Sequence, residues 1–187
     1  MPSDLKGKRV AILATDGVEG VELTSPREAL EQAGATVEIL APQDGTIRLW
    51  DHDEKRGMVA VDSPVSEAEP AAYDGLVLPG GVRNADRLRV DEGAVRFVTD
   101  VVRRHVPVGV ICHGGWILVE AGTVKGRTMT SHPALRTDLQ NAGARWVDEE
   151  VVIDHGLVSS RRPADLPAFN AKIVEAFAEG VHGRHAA

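Results

Sequence analysis

The chain of 187 residues has a single cysteine, Cys112. One cysteine excludes an intrachain disulfide and a cysteine-built zinc cage, two common ways of stapling a small fold. Long apolar runs are also missing. Nothing approaches the roughly 20 residues that cross a bilayer, so no membrane partner is expected. The opening residues Met1-Pro2-Ser3-Asp4-Leu5-Lys6-Gly7-Lys8 lack the apolar region of a signal peptide, and a cytoplasmic location is the expectation. Basic charge is in deficit, with 21 Lys and Arg against 28 Asp and Glu, a net charge of -7 and a pI near 5.5. A surface that neutralises phosphates needs clustered cations, so no nucleic acid is expected as a partner. Internal repeats, low-complexity tracts and linkers are absent too. One sizeable core and a single domain over residues 1–187 are expected.

What is present alternates between two periods. Lys8-Arg9-Val10-Ala11-Ile12-Leu13-Ala14-Thr15 is a continuous apolar strand of the kind covered by helices on both faces. A loop through Asp16-Gly17-Val18-Glu19-Gly20-Val21-Glu22-Leu23 leads into a helix. Ser25-Pro26-Arg27-Glu28 has the form of a capping box with Pro at the first helical position, and an earlier start with a kink at Pro26 is the alternative. Thr36-Val37-Glu38-Ile39-Leu40-Ala41 completes a first βαβ unit. Residues 42–70 are polar and hold two short β-like pieces, 46–50 and 58–62, around Asp51-His52-Asp53-Glu54-Lys55-Arg56-Gly57. Acids beside a histidine invite a metal, but a solvated hairpin tip of mixed charge explains them without one, and no metal is assigned.

Tyr73-Asp74-Gly75-Leu76-Val77-Leu78-Pro79-Gly80-Gly81 is a buried strand ending in paired glycines. Helical patterns over residues 84–89 and 91–105 precede Val106-Pro107-Val108-Gly109-Val110-Ile111-Cys112-His113-Gly114-Gly115, a strand of β-branched residues that changes abruptly into a compact helix. A short strand over residues 124–130, Ser131-His132-Pro133, a helical run over 134–141, a hairpin turning at His155-Gly156 and a final helix over 163–178 follow. The tail, 180–187, is expected to fray. The alternation specifies an α/β fold with a doubly wound, mostly parallel sheet, a small β-hairpin excursion and a core over about residues 8–178.

In such sheets ligands gather at the carboxyl ends of the strands. Three loops converge there: residues 16–19, Gly80-Gly81 and Cys112-His113. Cys112 lies between a strand end and a helix start, where unpaired N–H groups and the helix dipole favour a thiolate. Glu19 can face it as a proton carrier, and the backbone N–H groups of Gly81 and His113 can form an oxyanion site. Periodicity alone fits equally well a packing cysteine, a solvent-facing Glu19 and a tight turn at the glycines.

Five segments together resemble a known family: Glu19-Gly20-Val21-Glu22-Leu23, Leu78-Pro79-Gly80-Gly81, Ile111-Cys112-His113-Gly114, Ala121-Gly122 with Lys125-Gly126-Arg127, and Val158-Ser159-Ser160-Arg161 with Pro163-Ala164-Asp165-Leu166. Over roughly residues 8–177 the chain resembles the DJ-1/PfpI family of the class I glutamine-amidotransferase-like superfold, in its PfpI-like branch of intracellular proteases and general stress proteins. The resemblance implies a flavodoxin-like sheet, Cys112 as nucleophile and Glu19 as the carboxyl touching its sulfur. It implies His113 as a histidine turned away from its neighbour toward an acid of an adjacent subunit. Asp86 matches that acid position, one methylene shorter than the Glu of some members. His132 falls where members carry His, Tyr or Trp, and Gly80, Gly81 and Gly114 frame the pocket.

Three functions follow from one nucleophile. The first is a stress-defence enzyme acting on reactive carbonyls or their adducts, of glyoxalase or deglycase type, with no cofactor. The second is a cysteine peptidase with an intersubunit Cys112–His113–Asp86 site. The third is a redox sensor or chaperone working by oxidation of Cys112. The substrate is expected to be a small molecule or a peptide, and the protein a homodimer or larger homo-oligomer.

Overall fold

The computed structural model describes residues 4–180, so the tail beyond 180 lies outside the described residues. In chain order the elements are β1 (Arg9–Leu13), β2 (Val18–Glu19), α1 (Gly20–Gln32), β3 (Thr36–Ala41), β4 (Thr46–Asp51), β5 (Glu54–Ala60), β6 (Ser63–Pro64) and β7 (Gly75–Leu78). Then come α2 (Val82–Arg89), α3 (Glu92–Arg103), β8 (Val108–Ile111), α4 (Gly115–Glu120), β9 (Thr128–Met129), α5 (Arg136–Asn141) and β10 (Arg145–Trp146). The chain ends with β11 (Val151–Asp154), β12 (Leu157–Ser160) and α6 (Leu166–Glu179).

The main sheet runs β11-β12-β8-β7-β1-β3-β6, parallel throughout except for the edge strand β11. Successive side chains of a strand point to opposite faces, and here both faces are covered. Leu13, Leu76, Leu78, Val108 and Val110 bury against α2, α3 and α4 with Phe97, Val101 and Leu118. Val10, Ile12, Val77 and Ile111 bury on the other face against α1 and α6, with Leu30, Phe169 and Phe177. The central strands β7 and β8, and β1 from Val10 onward, therefore carry no polar side chain and read as uninterrupted runs. Among the described residues no helix is long and apolar enough to cross a membrane.

The expected hairpin excursion is β4 and β5, which pair antiparallel. It is tied back by β2, where Val18 pairs with Leu49 and Glu19 with Trp50. That pairing sets the start of α1. With Val18 and Glu19 used as strand, the helix begins at Gly20, and Pro26 lies inside it rather than at its first position. The capping box read at Ser25 is overridden by this long-range pairing, and the earlier start holds. Asp91 does cap α3, its side chain accepting the N–H of Ala94 at 2.8 Å.

Candidate active site

β8 delivers Cys112 to the carboxyl edge of the sheet. Cys112 has φ 60, a left-handed conformation that an L residue adopts at a cost of about 1 kcal/mol, and it opens a single 3-10 turn, Cys112–Gly114, before α4. The turn is pressed on the end of β7. A Cβ on Gly114 would stand 2.5 Å from the carbonyl oxygen of Leu78 and 2.9 Å from that of Pro79, so only glycine fits. From the other side, the N–H of His132 donates to the Cys112 carbonyl at 3.1 Å.

Four groups surround the sulfur. The backbone N–H groups of Gly81 and His113 favour its charged form, and the Glu22 carboxyl opposes it. The fourth group is His113, whose Nδ1 is 3.3 Å from Sγ. The Gly80 N–H donates to Glu22 Oε2 at 2.8 Å. A Cβ on Gly80 would meet that oxygen at 2.4 Å and the Cys112 Cβ at 2.6 Å. The loop is clamped by Asn84, which is fully buried. Its Nδ2 donates to the carbonyls of Pro79 and Gly80 at 3.1 and 3.0 Å, and its Oδ1 accepts the N–H of Thr15 at 2.8 Å.

Burial dominates the electrostatics. Glu22 has no exposed surface, and desolvation pushes its carboxyl up to about 8, so the acid carries its proton at neutral pH. Desolvation and the facing Glu22 carboxyl also push the Cys112 thiol up, against the pull of the two backbone N–H groups. The thiolate expected from the helix start is thus opposed by burial, and α4, six residues long, offers little dipole. The thiol and the carboxyl resist carrying two charges at once. Desolvation, followed by the nearby His132, lowers His113 to about 4, so its ring is neutral. The two imidazoles stack at 4.4 Å, and Trp116 meets His113 edge-on at 5.4 Å.

These contacts correct two expectations. The carboxyl on the sulfur is Glu22, not Glu19. Because α1 starts at Gly20, Glu22 lies inside the first turn facing the sheet, while Glu19 is the residue before the helix. Glu19 is buried and lines the cavity, but its Oε2 accepts the N–H of His52 at 3.0 Å. His113 does not turn away from its neighbour, since the tight 3-10 turn brings its ring back to the sulfur. Asp86 is exposed on α2 and does not line the cavity of its own chain. Gly80, Gly81, Gly114 and His132 all surround Cys112 as described. The sequence pattern alone does not single out Glu22, Asn84 or Trp50. The spacing of Glu22, three residues past Glu19, was the available signal for one of them.

The site opens into a cavity of about 320 Å³ whose walls include Glu19, Glu22, Trp50, Cys112, His132 and Arg162. Among the described residues, Glu19, Asp51 and His52 bring donor atoms within 4.8 Å of one another and could hold a metal ion. They are also satisfied without one: Asp51 accepts from Arg56 at 2.9 Å and pairs with His52 at 2.9 Å.

The family model described as the DJ-1/PfpI family matches residues 8–176. The chain belongs to the DJ-1/PfpI family. A Staphylococcus epidermidis relative, SERP1413, is 44% identical over 170 residues, covering 90% of this chain and 96% of its own. A Bacillus subtilis relative named "Putative cysteine protease YraA" is 39% identical over 163 residues, covering 87% and 94%. Among solved structures, a two-domain Anabaena variabilis protein with DJ-1/ThiJ/PfpI-like and ferritin-like domains superposes with a TM-score of 0.85 at 33% identity, covering 90% of this chain and 47% of that one. Drosophila melanogaster DJ-1beta has the same fold, with a TM-score of 0.83, 24% identity and coverage of 91% and 90%. The mostly parallel sheet with flanking helices is the DJ-1/ThiJ/PfpI fold.

Proposed function

We propose that this DJ-1/PfpI protein is a cytoplasmic stress-defence enzyme whose Cys112 sulfur adds to small reactive carbonyls or their adducts. The observation that carries this reading is the fully buried Glu22 carboxyl, fixed by the Gly80 N–H and set against a nucleophile that faces an open cavity. A carboxyl pushed up to about 8 both gives and takes a proton near neutral pH. With methylglyoxal, the sulfur forms a bond to the aldehyde carbon, and the thiol proton ends on the new hydroxyl, giving a hemithioacetal. Loss of the C1 proton gives an enediol. Return of a proton at C2 gives the thioester of lactate, which water cleaves to lactate and free thiol. Glu22 ferries the proton at each stage. No step calls for a metal or an organic cofactor.

The test is lactate formation from methylglyoxal by the purified protein, beside Cys112→Ser and Glu22→Gln. Both variants are expected to lose at least about a hundredfold in kcat/KM. Lactate formed equally fast by Cys112→Ser overturns the reading.

Peptide hydrolysis is the second reading, favoured by the 3.3 Å contact between His113 Nδ1 and Cys112 Sγ and by the name of the Bacillus subtilis relative. It needs an acid to orient His113, and Asp86 of a second subunit is the candidate, so it requires a homodimer or larger assembly. A homogeneous monomer that cleaves fluorogenic peptides, or an unchanged rate in Asp86→Asn, removes the intersubunit site.

A further inference from the structure

The cavity has two chemically different walls, and sheet order says why. Cys112 ends β8, the third strand of the sheet. On the side toward β7 and β1 stand the carboxyls of Glu22 and Glu19. Arg83 is also on this side, but its guanidinium is spread on the Trp50 ring at 4.6 Å. On the side toward β12 the wall has no carboxylate, and holds His132 and Arg162.

Arg162 differs sharply from its neighbour. Arg161 is fully occupied, donating to Asp165 at 2.9 and 3.1 Å and to Asp148 at 2.8 Å. Among the described residues, the side chain of Arg162 has no hydrogen bond or ion pair, and it reaches the cavity near enough to His132 to act on its charge. His132 Nδ1 accepts the N–H of Ala134 at 3.2 Å. A neutral ring with Nδ1 as acceptor carries its hydrogen on Nε2, which is then a donor. One wall thus offers an exposed guanidinium fork and a ring N–H with no acceptor among the described residues, and the opposite wall carries the Glu19 carboxylate beside the protonated Glu22. A carboxylate is what such a pair of donors takes.

Resting on the carbonyl reading above, we infer that Arg162 and His132 form a carboxylate-binding subsite and that the substrate attacked by Cys112 bears a carboxylate on its non-reacting end. Attraction at the β12 wall fixes one orientation, with the carbonyl over the sulfur and its oxygen toward the proton on Glu22. Arg162 is here a specificity residue, acting on the non-reacting end of the substrate.

Alkylation of Cys112 tests this without any turnover. Iodoacetate and iodoacetamide react alike, the sulfur displacing iodide, and differ in carrying a carboxylate or a neutral amide. In the wild type, iodoacetate is expected to alkylate Cys112 faster than iodoacetamide, with saturation in iodoacetate. In Arg162→Gln the iodoacetate-to-iodoacetamide rate ratio is expected to fall about tenfold, and in Arg162→Lys to fall less, as fits the loss of one charge-assisted contact. An equal ratio in the wild type and Arg162→Gln overturns the proposal. So does loss of the preference in Arg83→Gln instead, which would put the subsite on the opposite wall. No alkylation by either reagent, even at a pH high enough to ionise Cys112, overturns it as well, because such a cavity admits no small electrophile. A raised ratio without any aldehyde turnover keeps the subsite and removes only the carbonyl reading.

Discussion

Cys112 and His155 share an uncommon backbone, with φ 60 and φ 47, at opposite ends of the same sheet. His155 closes the turn between β11 and β12 beside Gly156, where two left-handed residues are what a tight hairpin requires. Its ring is exposed and bonds Asp154, and the Arg127 guanidinium satisfies the carbonyls of Asp154 and His155 at 3.0 and 3.1 Å. The cleft there is only about 20 Å³. Cys112 uses the same conformation to break a buried strand. Around it the polar groups are buried, Glu22 Oε1 has no partner, and the cavity is some sixteen times larger, about 320 Å³. A left-handed residue therefore signals function only when it ends in buried, incompletely satisfied polar groups. At the amino end it is ordinary turn geometry.

Variants at the two ends should separate these roles. Gly114→Ala has the largest expected effect, because its Cβ meets rigid backbone rather than a movable side chain. A loss of about 3 kcal/mol or more, read from the urea midpoint, is expected. Next is Glu22→Gln. The folded carboxyl at about 8 lies above its unfolded value of 4.5, so the native state binds the extra proton between these limits. Wild-type stability contributed by this proton is complete below pH 4.5 and is lost as pH rises toward 8. Glu22→Gln removes that slope, and above pH 8 it should be more stable than the wild type by on the order of 3 kcal/mol.

His113→Gln acts on the acid side. His113 at about 4 is below its unfolded 6.5, so the native state binds fewer protons and stability falls as pH drops from 6.5 to 4. The variant should flatten that limb by about 2 kcal/mol in the same urea titrations. At the amino end, Arg127→Ala should cost about 1 kcal/mol and leave Cys112 alkylation by iodoacetamide unchanged. His155→Gly should stay within about 0.5 kcal/mol, since glycine accepts the same φ and the lost ring is exposed. A large loss of Cys112 reactivity in either amino-end variant would erase the distinction.

The legible parts of this molecule are those set by local sequence. β1, β3, β7 and β8 read as strands because both faces are buried, and the Cys112 elbow reads from the break between Ile111 and His113. Glu22 did not read correctly because its position depends on Val18 and Glu19 pairing with Leu49 and Trp50, a contact across the hairpin that overrides the local cap signal at Ser25. Asn84 looks like any helix-start residue until the Thr15 and Gly80 backbones are brought to it. Arg162 cannot be told from Arg161 in the sequence. Only the positions of Asp148 and Asp165 show which of the two is tied down.

Gly80 gives the site a particular evolutionary stiffness. Its N–H holds the acid, and its missing side chain is the space that the acid and Cys112 both occupy. Any larger residue at 80 displaces both partners, and shortening the acid leaves that N–H buried with nothing to receive it. The three positions can then be traded only as a set. Neighbouring sequences reached by single steps should vary the cavity walls, such as Arg162, long before they vary this trio, so new substrates would be gained by changing the rim around an inherited chemical centre.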